Sequence, residues 1–374
     1  MGFAMLKELR IDGYRGFKSF EMSGLAQVNL VVGMNNSGKT ALLEAIELLS
    51  SPGYPVWQLL GPLRRRGESF PDEEGTTARN IEYDVGHLFY GHKPDIGSLF
   101  AVEANTTRGH DFVRATIVAP DKESQVRLFE DYSIEEDDFH TRSLAIGLES
   151  SLIRDPLVLP LTFRGGLSHG VLRYFPRPTV PEETGRETTF LTTDSLTSQD
   201  VAQYWKSIAL TVEENLVVQA LRILDGNIER VAFVGAPHGF VPGGRGGLLV
   251  KYQDSDYPIP IGSLGDGMWR MFSIAVALIR SRGGVLLVDE IDTGLHYSTM
   301  HEMWWLVLQT AERLDVQVFA TTHSSDCINS LASVCRGGRP EQVSMQRLEE
   351  GNGMAVSYSK DEIWSAAQHG IETR

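Results

Sequence analysis

Residues 27–40 read QVNLVVGMNNSGKT, and this stretch fixes the architecture around it. Gln27 to Val32 is a run of β-formers, Gly33 opens a turn, and the segment from about Gly38 to Leu49 is rich in helix formers. Between that predicted strand and predicted helix, Gly33-Met34-Asn35-Asn36-Ser37-Gly38-Lys39-Thr40 matches GxxxxGK[ST] in full. The residue types suit the binding of phosphate. Glycines let backbone N–H groups turn inward around phosphate oxygens, and the helix that starts near Gly38 points its positive end at them. Lys39 is placed to reach β- and γ-phosphates and Thr40 to offer its hydroxyl to Mg2+, so a nucleoside triphosphate is the expected ligand. A bare glycine turn with a surface lysine is the alternative, and the flanking strand and helix speak against it.

Toward the C-terminus the sequence alternates between the two periodicities. Ser263 to Ser281 has the composition of a buried helix, Val285 to Val288 of an apolar strand, residues 299–313 of an amphipathic helix, and Val316 to Ala320 of another strand. That alternation marks a parallel sheet covered by helices. Met300, Met303, Trp304, Val307 and Leu308 recur at helical spacing and are expected in the core. The strand Val285–Val288 runs straight into Asp289 and Glu290, an expensive place for two carboxylates unless a metal or substrate uses them. Asp289 suits a Mg2+ shell. Glu290, on the opposite face of an extended strand end, suits a general base that polarises an attacking water. His323 follows the strand VQVFA within Thr321-Thr322-His323-Ser324, which places an imidazole at the tip of a neighbouring strand, where it can bond a γ-phosphate and orient that water. The ordinary alternative for a lone histidine is a structural one.

Around these motifs the chain divides into 1–80, 81–195 and 196–374. Residues 5–11 form a further predicted strand, and residues 50–80 lose periodicity and collect Pro, Gly and Arg, which reads as a mobile surface segment. Residues 81–195 read as an inserted lobe with short β-runs at Phe100 to Glu103 and Phe112 to Val118 and an acidic, solvated stretch from Asp121 to Asp138. Residues 198–222 look helical, and strands follow through Tyr257 to Pro260, with GGRGG at 243–247 as a hairpin tip.

Composition bounds the rest. With 374 residues, 42% of them hydrophobic, the chain can bury a large core without staples. Its formal charge of -15 repels nucleic acid at long range, so any DNA contact requires a local basic patch, for which Arg64-Arg65-Arg66 is the candidate against a solvated loop. Cys327 and Cys335 have no CxxC spacing and fit a reducing compartment. No apolar run approaches the roughly 20 residues that span a bilayer, so a cytoplasmic protein without membrane contact is expected. His87 and His92 match no helical metal pair, and Asp254-Ser255-Asp256 reads as a turn.

Together the segments IDGYRGFKSFE, GMNNSGKT, IGSLGDGMWR, VLLVDEIDTGLH and ATTHS resemble the ABC-type ATPases, most closely the bacterial SMC-, RecF- and OLD-like group. The resemblance implies an α/β P-loop NTPase, an ABC-type ATPase head with an inserted α+β lobe, binding ATP and Mg2+. It implies that Gly33, Asn35, Asn36, Ser37, Gly38, Lys39, Thr40 and Ala41 line the nucleotide, that Thr40 and Asp289 hold the metal, and that Glu290, His323 and Lys39 are catalytic. The segment Ser263-Leu264-Gly265-Asp266-Gly267 falls on the family's signature, which caps the γ-phosphate of the opposite protomer, and hydroxyl and amide donors opening a helix suit that task. Asp292 falls on the D-loop that crosses the same interface. A homodimer with two sandwiched ATP molecules follows, although SLGDGM departs from the usual LSGGQ. Arg15, in the opening motif, is a candidate for a place near the nucleotide, and Gln58 is the candidate for the lid glutamine.

OLD nucleases carry a C-terminal Toprim domain, and residues 324–374 are too few for one. The resemblance therefore implies an ATPase that regulates a separate effector, such as a Toprim-type or other nuclease, in defence against phage. A RecF-like ATPase acting directly on DNA is the alternative. A transporter subunit and a non-hydrolysing nucleotide-binding module fit less well, the former because the signature lies so far from Gly33, the latter because of Glu290 and His323.

Overall fold

The structure, a computed structural model, describes residues 4–50, 55–70, 81–119, 141–162, 164–172, 188–235, 247–337, 343–349 and 351–368. The acidic stretch at 121–138 and most of the GGRGG segment lie outside the described residues.

The hydrophobic patterns close into two six-stranded sheets. The first is antiparallel and contains β1 (Leu6–Tyr14), β2 (Phe17–Met22), β5 (Leu99–Thr106), β6 (Gly109–Val118), β7 (Thr141–Ser150) and β8 (Leu157–Thr162), in the order β2-β1-β5-β6-β7-β8. The second runs β10-β14-β15-β3-β16-β17, from β3 (Val28–Val32), β10 (Thr188–Leu191), β14 (Val285–Val288), β15 (Gln317–Thr322), β16 (Val343–Arg347) and β17 (Val356–Ser359). All its neighbours pair in parallel except β16 with β17. Short strands β4 (Glu82–Tyr83) and β9 (Leu167–Ser168) pair with each other. A third sheet joins β11 (Ile228–Phe233), β12 (Leu248–Tyr252) and β13 (Ile259–Pro260).

The sequence boundaries at 80 and 195 cut across these sheets. Leu9 of β1 pairs with Ala104 of β5, so the strands of residues 99–162 extend the sheet that β1 and β2 begin. Phe190 of β10 pairs with Leu287 of β14, inside the parallel sheet.

Helix α1 (Lys39–Ser50) lies between the two sheets. Leu42, Leu43, Ala45 and Ile46 share one apolar cluster with Ile11, Phe100 and Val102 of the first sheet and with Val31, Leu287 and Phe319 of the second. On the far face of the parallel sheet, Leu30, Leu286, Val318 and Ala320 pack against the helices from the C-terminal half. Strands covered on both faces carry unbroken apolar runs rather than alternation, as β3 and β14 do. One buried amide ties the two sheets, and a second ties neighbouring strands within the parallel sheet. Gln317 bonds the backbone N–H and C=O of Leu6 at 2.8 and 2.9 Å, and Asn29 donates to Ala26 and Val318 carbonyls at 2.9 and 3.1 Å.

Residues 55–66 correct the expectation of a mobile segment: they form α2 (Pro55–Arg66), with Val56, Leu59, Leu60 and Leu63 fully buried. Those positions follow i, i+3, i+4, i+7, a stripe interrupted in composition but not in spacing by Gly61 and Pro62. The arginine triplet at its end is not free for DNA. Arg64 donates to the Tyr83 hydroxyl at 3.0 Å, Arg65 to Glu47 at 3.0 Å and Arg66 to Glu44 at 3.0 Å. Beyond the short helix α3 (His169–Leu172), the helical region at 198–222 is two helices, α4 (Ser198–Ile208) and α5 (Val212–Arg222), broken where Leu210 adopts φ 64°. The C-terminal helices are α6 (Asp266–Arg280), α7 (Tyr297–Leu314), α8 (Ser325–Gly337) and α9 (Lys360–Gln368). In α7, Met300, Met303, Trp304 and Val307 are buried, while Leu308 is half-buried against the same cluster.

Glu44 sits in the middle of α1 with no exposed surface, held by Arg15 at 2.8 Å and Arg66 at 3.0 Å. Burial raises its carboxyl above the ordinary range, and the two guanidinium groups pull against that. Removing one partner of a buried ion pair leaves the others uncompensated. Glu44→Ala is therefore expected to cost about 3 kcal/mol in urea unfolding. An unchanged midpoint would show that the ion cluster does not hold α1 and α2 together.

Candidate nucleotide site

The phosphate loop grows from the C-terminal end of β3. The chain leaves Val32, passes Gly33 at φ 155° and Asn36 at φ 64°, and enters α1 at Lys39. A Cβ at Gly33 would stand 2.8 Å from both the Leu348 carbonyl and the Ser37 hydroxyl, so only glycine passes there. Met34, Asn35 and Asn36 face solvent, whereas the Lys39 ammonium folds back to donate to the Gly33 and Met34 carbonyls at 2.8 Å each. Burial lowers the Lys39 pKa, and the nearby carboxylates of Glu290 and Asp289 offset part of that shift.

Strands β14 and β15 deliver the carboxylates and the histidine to the same edge. The Thr40 hydroxyl donates to Asp289 Oδ2 at 2.8 Å, bridging α1 and the end of β14. Glu290 does not continue an extended strand, as the sequence suggested. It adopts φ 46°, and the turn that follows is closed by Thr293 N–H donating to the Glu290 carbonyl at 3.1 Å. His323 Nδ1 lies 3.3 Å from Glu290 Oε1, with both side chains partly open to solvent.

Three further residues, which lie inside the quoted segments but were given no role there, hold this turn. Thr321 bonds Asp289 through its side chain at 2.6 Å and receives the Glu290 N–H at 2.8 Å. Thr322 donates to Asp292 Oδ1 at 2.6 Å. Arg270 of α6 is buried and directs its guanidinium at backbone carbonyls: Asp289 and Glu290 at 2.7 Å, Thr192 at 2.6 Å and Ile291 at 3.4 Å. Burial brings its pKa down to about 10, against the pull of Asp292, Asp289 and Glu290. The sequence held one signal for these residues: hydroxyls and a cation inside otherwise apolar elements need a polar partner there.

The signature segment is arranged differently from the sequence expectation. Ser263 lies in a 3-10 turn, Ile261–Leu264, and the helix begins only at Asp266, with Gly265 at φ 92° as an N-cap that makes no side-chain bond. Ser263, Gly265 and Asp266 are exposed, and Gly267 packs on the turn after Glu290, where an added Cβ would stand 2.9 Å from the Gly294 carbonyl. Arg15 is likewise committed elsewhere than to a nucleotide, to Glu44 and to both oxygens of Glu68 at 2.8 and 2.9 Å. Gln58 is buried on α2. His87 and His92 meet through Nδ1 atoms 3.4 Å apart across a 3-10 turn, and among the described residues no group of three or more His, Cys, Asp or Glu could hold a metal.

These residues fit a triphosphate with a divalent cation. Ser37 Oγ is buried without a hydrogen-bond partner among the described residues, two residues before α1 begins at Lys39. The Thr40 hydroxyl and the Asp289 carboxylate supply the hard oxygen donors that Mg2+ prefers.

Two families match the chain at its two motif-bearing ends. The AAA ATPase domain family matches residues 5–92. An AAA domain family whose description names the AbiEii toxin and a Type IV TA system matches residues 249–327. Among curated proteins, an ATP/GTP phosphatase of Helicobacter pylori is 20% identical over 373 residues, covering 89% of each chain. The OLD nuclease of Thermus scotoductus is 24% identical over 378 residues, covering 97% of this chain and 66% of that protein. Among solved structures, the SMC head domain of Thermotoga maritima is similar at 11% identity and TM-score 0.42, covering 95% of this chain and 98% of that one. The Smc head domain of Pyrococcus furiosus, solved bound to the C-terminal domain of ScpA, is similar at 10% identity and TM-score 0.46 over the whole of both chains.

The phosphate loop and the carboxylate turn, each inside a matched AAA segment, make this chain a P-loop ATPase. Within that class it is similar to an OLD nuclease. No helix among the described residues is long and apolar enough to cross a membrane.

A charged hydrogen-bond donor aimed at phosphate contributes about 1.5–3 kcal/mol. Lys39→Ala is accordingly expected to weaken ATP binding by about tenfold or more in a fluorescent-nucleotide titration. Unaltered affinity would place the nucleotide elsewhere.

Proposed function

We propose that this ATPase is Mg2+-dependent, closes as a homodimer around ATP, and so regulates a separate effector, a nuclease, in defence against phage. The observation that carries the catalytic part is the Asp289 carboxylate shared between the Thr40 and Thr321 hydroxyls, with Glu290 and His323 beside it. In this reading Gly33, Asn35, Asn36, Ser37, Gly38 and Ala41 surround the phosphates and Lys39 contacts the β- and γ-phosphates. Thr40 and Asp289 hold the metal, which supplies neutralising charge at the phosphate oxygens. Glu290 takes the proton of the attacking water, and His323, now 3.3 Å from it, steadies that water or the γ-phosphate.

The dimer is supported by the open N-terminus of α6. Ser263, Gly265 and Asp266 are exposed, and Gly265 caps the helix without a side-chain bond, which leaves amide donors for an anion brought by a second copy. Asp292 lies in the adjoining turn, whose Gly294 packs on Gly267 of α6. The effector is supported by the likeness to an OLD nuclease and to a family described by a toxin system. A RecF-like role on DNA has less behind it, because Arg64, Arg65 and Arg66 are engaged by Tyr83, Glu47 and Glu44 and the chain carries a charge of -15.

Glu290→Gln is expected to slow phosphate release by about 10²–10⁴-fold while ATP binding persists. With Mg-ATP the same variant should double its mass in light scattering. Equal turnover would remove Glu290 as the base, and a monomer with and without nucleotide would sink the dimer. Trapped with ATP in its own host, the variant should copurify with a stoichiometric nuclease. Recovery of DNA alone, with DNA-stimulated turnover, would instead support the RecF-like role.

A further inference from the structure

We infer that Thr321 is a positioning residue of the hydrolytic step: one hydroxyl sets both the metal-side carboxylate of Asp289 and the backbone turn that aims Glu290. The inference rests on the roles proposed above for those two carboxylates.

Thr321 is fully buried near the end of β15, the strand that stands between the phosphate-loop strand β3 and the carboxylate strand β14. A hydroxyl has one proton and two lone pairs. Here the proton is directed at Asp289 Oδ1, 2.6 Å away, and a lone pair accepts the Glu290 N–H at 2.8 Å. The other oxygen of Asp289 accepts from Thr40 at 2.8 Å. The carboxylate is thus fixed at both oxygens by hydroxyls from two different elements, α1 and β15, and cannot rotate without breaking one bond. Thr40 is the residue placed to meet a metal, and Thr321 holds the other carboxylate oxygen from a different element.

The second bond acts on the backbone. Glu290 has φ 46°, a conformation that side chains with a Cβ rarely adopt without support. Its N–H is anchored by the Thr321 hydroxyl, and the next N–H, of Ile291, is anchored by the Thr321 carbonyl at 3.0 Å. Two successive amides at the point of reversal are therefore held by one residue. That reversal is what turns the Glu290 side chain back toward His323, 3.3 Å away, instead of along the strand.

Threonine is also the residue type the position calls for. Its β-branch restricts the side-chain torsion in a strand, so the hydroxyl is held on the carboxylate side without a further partner. Valine has the same shape and lacks the hydroxyl, whereas serine keeps the hydroxyl and loses only a methyl group.

The test compares Thr321→Val and Thr321→Ser with the wild-type chain. Thr321→Val is expected to lower kcat by about 10- to 100-fold with the KM for ATP unchanged, because positioning is lost and the phosphate loop is intact. The Mg2+ concentration that half-saturates ATP binding should rise by about tenfold, as for a lost partner of a metal carboxylate, while ATP binding in EDTA stays the same. Without any nucleotide, amide hydrogen exchange over residues 289–292 should accelerate. Thr321→Ser should restore all three. Should Thr321→Val not fold, Thr321→Ala takes its place in the same comparison. The inference is overturned by a wild-type kcat in Thr321→Val, by unchanged exchange at 289–292, or by Thr321→Ser being as impaired as Thr321→Val. Absence of ATP turnover in the wild-type chain would instead defeat the proposed catalytic roles, and the exchange and Mg2+ arms would still decide the role of Thr321.

Discussion

Helix α1 is closed in on both flanks by six-stranded sheets, and most of the molecule is arranged around that confinement. The helix has to open its N-terminus to a phosphate while its sides touch no water. Apolar residues meet the second demand almost everywhere along TALLEAIELL. Glu47, partly open to solvent, pairs with Arg65, whereas Glu44 is fully buried, and a carboxylate sealed between two sheets is tolerable only with cations brought to it. Arg15 arrives from the turn between β1 and β2 and Arg66 from the end of α2, so one buried charge recruits two segments distant in sequence. The ion cluster and the phosphate loop therefore belong to one rigid helix. A slip of one residue would move Thr40 by about 1.5 Å along the helix axis and break its contact with Asp289.

The opposite half of the site is held from the other layer. Parallel pairing brings the C-terminal ends of β3, β14 and β15 to a common edge, which is where open α/β sheets leave room for a ligand. Because β15 lies between the other two, its last residues brace the carboxylate turn from the phosphate-loop side, while the Leu191 carbonyl at the end of β10 accepts the Asp289 N–H at 2.8 Å from the other. From the helical side, Arg270 reaches the carbonyls of Asp289, Glu290 and Ile291, and Gly267 packs on Gly294. Arg270 stays charged at neutral pH with its pKa near 10, and carbonyl dipoles replace the water it has lost. The first turns of α6 and the residues 289–294 thus form one unit, so displacement of the α6 N-terminus displaces the backbone of Glu290 with it.

The parts of the site that were legible in the sequence are those whose chemistry is written in consecutive residues. The phosphate loop, the Asp289-Glu290 pair and His323 each follow a strand, and the spacing of a strand end to its side chains is short-range geometry. What failed to show was set at long range or by backbone conformation. The pairing of Leu9 with Ala104 joins segments that no local pattern connects, so residues 99–162 read as an insertion rather than as an extension of the first sheet. Helix α2 was hidden by Gly61, Pro62 and three arginines, although its apolar spacing is regular and its arginines find carboxylates on α1. The left-handed turn at Glu290 carries no glycine to announce it, and the cap of α6 fell on Gly265 rather than Ser263 because the preceding 3-10 turn uses up the serine.

The charge of the site sets a last constraint on what can enter it. The chain's net charge of -15 is a long-range term, and salt screens it over about 10 Å at 0.1 M ionic strength. Within that distance Lys39 and Arg270 stand against Asp289, Glu290 and Asp292, three carboxylates against two cations. A triphosphate arriving alone would add negative charge to a pocket that already holds an excess of it. A divalent cation that accompanies the phosphates and lies against Thr40 and Asp289 offsets part of that charge, which is the arrangement proposed above. It also follows that Lys39, bonded to the Gly33 and Met34 carbonyls, keeps the loop open by neutralising its own backbone until a phosphate competes for the ammonium. The loop is thereby preshaped by the same cation that later serves the ligand, and little reorganisation is left for binding to supply.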